Sequence, residues 1–133
     1  MMRRMFAGAA AGFFSIVAHT DASASGQVFR CVMKETRHIS ADGLQATYPK
    51  DIYAGDVIIA DTTTGLVRMF GTQRYFNITQ RAGSGNGWIL TRVEEGSGST
   101  SVTLFAIKTY EKTVPFMFTG GMLVHSGRCE VIG

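Results

Sequence analysis

The segment WILTRVEEGSGSTSVTLFAIKTY, residues 88–110, contains two strand patterns separated by a turn pattern. Residues 88–94 and 101–110 are rich in β-branched and aromatic side chains, which favour extended backbone. Between them, residues 95–100 (EGSGST) supply the glycine and serine that tight turns use. The segment therefore predicts two antiparallel strands joined as a hairpin.

The chain on both sides of this hairpin continues the pattern of strands and turns. In residues 27–34, Phe29, Cys31 and Met33 alternate with polar or charged neighbours, which is typical of a half-buried strand. Residues 35–50 are polar and irregular, and they hold either a short helix or a strand at 44–48. Further strands are predicted at 56–60, 66–70, 75–80, 114–119 and 122–125, with turns at 61–65, 71–74 and 83–87.

These elements predict an all-β fold. About eight short strands follow one another with turns at a spacing of roughly 8–12 residues. Such a pattern is typical of a small antiparallel meander, either closed into a barrel or folded as a sandwich, and the short connections favour an up-and-down barrel. We expect a single antiparallel β domain over residues 25–133, because a chain of 133 residues has room for one ordinary domain.

The composition excludes several classes of protein. Hydrophobic residues make up 45% of the chain and charged residues 17%, which indicates a globular rather than a disordered protein. The net charge of +3, from 13 basic and 10 acidic residues, is too small for a dedicated nucleic-acid-binding protein. We therefore expect no nucleic-acid partner.

Residues 1–24 have the pattern of a secretory signal peptide. Arg3 and Arg4 precede an apolar run at 6–18, and Ala22-Ser23-Ala24 follows as a cleavage site. The apolar run is shorter than the roughly 20 residues that span a bilayer, which disfavours the alternative of an uncleaved membrane anchor. The arginine pair also fits twin-arginine export, although general secretion is the simpler interpretation. The protein is thus predicted to be periplasmic or secreted, with a membrane contact only if this segment stays attached.

Export gives the two cysteines a structural role. Cys31 and Cys129 lie near the two ends of the exported part, and an oxidising compartment favours a disulfide between them. The alternative is two buried thiols. A metal site is not expected, because the exported part has only His38 and His125 and no metal-ligand spacing. We expect no cofactor.

A catalytic site is not expected either. The sequence lacks a nucleophile elbow of the G-x-S-x-G type. His125 stands beside Ser126 in the last predicted strand, so a hydrolase that uses His125 with a neighbouring hydroxyl remains a minor alternative. A structural or surface role is the simpler interpretation of each histidine.

Basic and aromatic side chains suggest a binding surface. Arg68, Arg74 and Arg92 (with Arg81 between them) come from consecutive strands or turns, and with Tyr75 and Trp88 they could form a patch for an anionic partner. An envelope protein, a lipid or a polysaccharide would fit. The alternative is a set of scattered, solvated arginines, and strand register decides between the two.

The large apolar side chains of the last strands allow a second kind of binding. They either fill the interior of the fold or leave room for one small ligand, as barrels of about eight strands do. Core filling is the simpler interpretation for a domain of this size. The side chains are Phe105, Ile107, Val114, Phe116, Met117, Phe118 and Met122.

Both ends of the exported part resemble a set of small exported alphaproteobacterial proteins. These proteins pair an F-x-C near the start with a G-x-C near the end, as in Phe29-Arg30-Cys31 and Gly127-Arg128-Cys129, and have a similar turn to Asp61–Gly65. The resemblance implies a lipocalin-like or related barrel and brings no catalytic residues. Periplasmic lysozyme inhibitors are a second comparison, but their Ser-Gly-x-x-Tyr motif is missing: Gly83-Ser84-Gly85 is followed by Asn86, Gly87 and Trp88.

The sequence thus predicts a secreted or periplasmic, non-catalytic binding module with one disulfide. The alternatives are a lipocalin-like carrier of a small apolar ligand and, third, a hydrolase or a protein like the lysozyme inhibitors.

Overall fold

The computed structural model describes residues 26–46 and 52–133. These residues form ten β-strands and no helix. The predicted all-β, antiparallel fold is therefore confirmed. The predicted signal peptide lies outside the described residues. The strands are β1 (Val28–Ser40), β2 (Gly43–Ala46), β3 (Val57–Asp61), β4 (Leu66–Met69), β5 (Thr72–Tyr75), β6 (Asn77–Gln80), β7 (Trp88–Gly96), β8 (Ser99–Ile107), β9 (Pro115–Gly120) and β10 (Leu123–Val131).

All ten strands belong to one antiparallel sheet. The order is β5-β4-β3-β1-β10-β9-β8-β7-β6, and β2 pairs with β1 outside this path. The edge strands β5 and β6 are consecutive in the chain and are separated only by Phe76, so the sheet rolls round on itself. No ladder joins β5 to β6 in the described part of the chain, and the sheet is not closed.

Two differences in the chain account for ten strands where about eight were predicted. Residues 35–46 complete β1 and form β2, so residues 44–46 adopt the strand alternative predicted at 44–48 and not the short helix, and residues 47–48 lie outside the described residues. The turn predicted at residues 71–74 is wrong, because β5 begins at Thr72 and the chain reverses at Phe70 and Gly71. Both turn residues have positive φ angles, 50° and 75°, as a type I′ hairpin turn requires. Phenylalanine is not a signal for that conformation, so the sequence pattern misplaced the turn.

The inner face of the rolled sheet buries one hydrophobic core. Inward side chains alternate with outward ones along each strand, as a sheet with one buried face requires. Aromatic rings meet across the interior, with Phe118 at 5.5 Å from Phe105 and 6.2 Å from Phe76 between ring centres. The core consists of Phe29, Cys31, Met33, Ile58, Ala60, Val67, Phe76, Trp88, Leu90, Phe105, Ile107, Phe116, Phe118 and Cys129.

The predicted disulfide between Cys31 and Cys129 is present. The two residues lie directly opposite each other in β1 and β10, which are neighbours near the middle of the sheet. Both side chains belong to the core. The disulfide therefore joins the first long strand to the last one from inside the fold.

A β-bulge interrupts the pairing of β1 with β10. The register shifts between Met33 and Glu35, so Lys34 has no partner on β10. Gly127 lies opposite Met33, and a Cβ atom there would collide with the carbonyl oxygen of Val32. This close approach explains why glycine stands two residues before Cys129.

No helix of the residues described has the length and hydropathy needed to cross a membrane.

Candidate functional site

Strand register divides the predicted basic and aromatic patch between the two faces of the sheet. Arg74 lies opposite the core residue Val67, which places it on the inner face. Arg92 has the inward parity of β7, while Arg68 and Tyr75 have the outward parity of β4 and β5. The three arginines therefore do not share one surface.

Arg92 and Arg74 instead meet at the gap between the two sheet edges. The Arg92 guanidinium donates a hydrogen bond to the carbonyl oxygen of Tyr75 at 2.8 Å. It also forms an ion pair with Glu94 at 2.9 Å, and Arg74 approaches the same carboxylate at 3.9 Å. The single negative charge of Glu94 thus partly neutralises the positive charges of Arg74 and Arg92. Trp88 is only 1% exposed and belongs to the core.

His125 is buried at one end of the core. Its Nδ1 lies 2.8 Å from the Thr36 hydroxyl, and its ring packs edge-on against Tyr53 at 5.2 Å. Burial lowers the pKa of His125, and the negative charge of Asp56 opposes that shift. A hydroxyl is therefore within reach of the imidazole, but Thr36 is only 2% exposed and His125 only 4%.

A groove lies on the outer face of the sheet, over β7, β8 and β9. Its floor is a row of three apolar side chains, Ile89, Ala106 and Met117, which are directly opposite one another across these strands. The groove has a volume of about 470 Å³. We call it the apolar groove; its walls include Gln80, Asn86, Lys108 and Tyr110.

The walls of the apolar groove are held by contacts of both side chains and backbone. Gln80 Nε2 donates a hydrogen bond to the carbonyl oxygen of Gly87 at 2.8 Å, which ties the end of β6 to the following turn. A Cβ atom at Gly87 would collide with the carbonyl oxygen of Ile107, so this turn packs directly on β8. Elsewhere in the lining, Lys108 Nζ lies 5.5 Å from the centre of the Tyr110 ring. The groove is therefore largely formed before any ligand enters.

A second groove adjoins the first on the outer face of β9, β10 and β1. It has a volume of about 650 Å³, and Pro115 and Phe116 line both grooves. We call it the basic groove. Its other lining residues are Lys34, Glu35, Thr113, Ser126, Gly127 and Arg128.

Sequence reasoning missed both grooves because each is formed by residues of several neighbouring strands, whose alignment depends on register. Met117 was counted with the neighbouring phenylalanines as interior or ligand-binding, but it has the outward parity of β9 and is exposed. Alternation within β9 already separates Met117 from Phe116 and Phe118. The alignment of Met117 with Ala106 and Ile89 depends on register, which hydrophobic patterns alone do not give.

Comparisons of the chain with protein-family models, curated proteins and solved structures found no match. Within residues 26–46 and 52–133, no group of three or more histidine, cysteine or acidic side chains is placed to hold a metal ion.

Proposed function

We propose that the protein is an exported, non-catalytic binding module and that the apolar groove is its binding site. The observation that carries this proposal is the row formed by Ile89, Ala106 and Met117, which lies open at the floor of a groove of about 470 Å³. Ligand pockets have volumes of roughly 300–1,000 Å³ and mostly apolar linings with a few polar groups. Lys108, Tyr110 and Asn86 supply such polar groups at the walls.

Export to the periplasm or the cell exterior is part of this proposal. The disulfide between Cys31 and Cys129 is compatible with an oxidising compartment. The signal-peptide pattern of residues 1–24 supports the same location. The ligand would then be a component of the cell envelope or of the surroundings of the cell.

Binding is favoured over catalysis by the positions of the reactive groups. A nucleophile has to reach the substrate, and the Thr36 hydroxyl beside His125 is buried in the fold. Most inward positions of the sheet carry core side chains, which favours a ligand on the outer face over an interior, lipocalin-like one. The apolar groove combines access with an apolar floor.

The test compares the intact masses of protein recovered gently from the envelope fraction of producing cells, under native and denaturing conditions. We expect additional native mass of roughly a few hundred daltons, as for a small ligand. The variant Ala106→Gln should lose this mass, because it places an amide in the middle of the apolar floor. Thr119→Gln is the matched control, since Thr119 lies on the same face but does not line the groove. Equal adducts on both variants would contradict the proposed site.

A further inference from the structure

We propose that the apolar groove and the basic groove together bind one single-chain anionic amphiphile. Its hydrocarbon chain would lie on the apolar groove, and its carboxylate or phosphate group on the basic groove. This inference rests on the proposed function and adds the chemical class of the ligand.

The floors of the two grooves form one continuous row across five strands. Ala106 pairs with Ile89 on one side and with Met117 on the other. The row continues from Met117 to Ser126 and from Ser126 to Glu35. Four spacings between neighbouring strands give this row a length of about 19 Å. Its character changes from apolar on β7–β9 to polar on β10 and β1, which matches an elongated molecule with two chemically different ends.

The polar end carries positive charge that other described side chains do not neutralise. Lys34 and Arg128 both line the basic groove, and neither forms an ion pair within the described ranges. Glu35 is the acid in this lining, and it pairs with Arg37 at 2.7 Å. The hydroxyls of Thr113 and Ser126 line the same groove and can donate to an anionic oxygen. The basic groove is therefore complementary to an anion.

Two local irregularities of the backbone lie at this end. The β-bulge leaves Lys34 unpaired, and bulges commonly redirect a side chain next to a binding site. Val114 has a φ angle of 45°, which is a rare conformation for a β-branched residue. Its carbonyl oxygen accepts a hydrogen bond from the Cys129 N–H at 2.9 Å, and its neighbours Thr113 and Pro115 line the basic groove. Strained backbone of this kind tends to occur at functional sites.

The experiment measures binding of two dodecyl amphiphiles to the disulfide-bonded exported chain by titration calorimetry, below their micelle concentrations. Dodecanoate is the anionic probe, and dodecyl maltoside has the same chain without charge. We expect dodecanoate to bind about fivefold more tightly, as two exposed charge interactions allow, and the difference to shrink with added salt. Dodecyl phosphate distinguishes the sources, because a preference for it points to a phospholipid-derived ligand and a preference for dodecanoate to a fatty acid.

Variants separate this inference from the proposed function. Lys34→Gln combined with Arg128→Gln should bring dodecanoate down to the affinity of dodecyl maltoside, while Arg68→Gln combined with Lys112→Gln, the matched control, should not. Ala106→Gln should weaken both probes, and circular dichroism checks that each variant folds. If both probes bind the native chain equally and the cation variants change nothing, this inference is overturned and the proposed function stands. If both probes bind as expected but Ala106→Gln weakens neither, the proposed site itself is overturned.

Discussion

At the scale of single residues, His125 shows how a polar side chain can belong to an apolar core. The hydrogen bond between His125 Nδ1 and the Thr36 hydroxyl pairs two polar groups that would otherwise be buried at a cost of roughly 1–3 kcal/mol each. The bulge in β1 makes this pairing possible, because it shifts the register so that Thr36 faces His125. The histidine is thus buried, and its Nδ1 has a partner within the core.

This environment predicts a loss of stability in mild acid. The lowered pKa means that the folded protein binds a proton at His125 less readily than the unfolded chain, whose imidazole has a pKa near 6.5. The contribution of His125 is therefore fully present above pH 6.5 and is lost as the pH falls from there through the folded pKa. Urea denaturation between about pH 7 and pH 5 should show a falling free energy of unfolding. His125→Gln should show a shallower fall and His38→Gln the native one; equal slopes in all three proteins would contradict this account.

At the scale of the elements, the gap between β5 and β6 is the unusual feature of the sheet. The chain crosses the gap at Phe76, whose N–H donates to the carbonyl oxygen of Gly65 at 2.8 Å. Gly65 has a positive φ of 86°, and a Cβ atom there would collide with the carbonyl oxygen of Phe76. Because residue 65 is glycine, the backbone at Phe76 can pack closely on the turn at 61–65. On the other side, Arg92 holds the end of β5 to β7.

The role of Arg92 can be tested against another arginine of the same predicted patch. Arg92→Met removes the hydrogen bond to Tyr75 and the ion pair with Glu94, and we expect a loss of about 1 kcal/mol in the free energy of unfolding. Hydrogen exchange should become faster at residues 72–80, which contain both edge strands. Arg68→Met should change stability by less than about 0.5 kcal/mol, because Arg68 is an exposed residue on the outer face. Similar exchange in both variants would show that Arg92 does not hold the edges together.

The elements also show what the sequence could predict. The hairpin of β7 and β8 was expected because alternation, β-branched residues and a glycine-serine turn all agree there. The sequence left a short helix and a strand open at 44–48, and it did not indicate that residues 38–40 pair with residues 43–46, because these short segments are largely exposed and bury no apolar face. The arginine patch failed to assemble on one face because cross-strand register, which hydrophobic patterns leave open, placed Arg74 and Arg92 on the inner face.

At the scale of the whole molecule, two strands that are far apart in sequence meet at the centre of the sheet. β1 and β10 are the first and last long strands of the described chain, yet they are paired in the middle of the sheet. Their pairing brings the basic groove together from residues far apart in sequence, since Lys34 comes from β1 and Ser126 and Arg128 from β10. Any disturbance of this central pair should therefore affect the proposed binding site as well as stability.

The disulfide between β1 and β10 should contribute a large part of the free energy of unfolding of the whole fold. It closes a loop with a sequence separation of 98, and loss of such a crosslink typically costs about 2–5 kcal/mol. Replacing Cys31 and Cys129 together with alanine should lower the urea midpoint accordingly. Because Cys31 is fully buried and Cys129 nearly so, a thiol reductant should reach the bond only after the chain opens. Trapping of free thiols at increasing urea, followed by mass measurement, should show reduction that rises together with unfolding; rapid reduction in the absence of urea would mean that β1 and β10 separate within the native state.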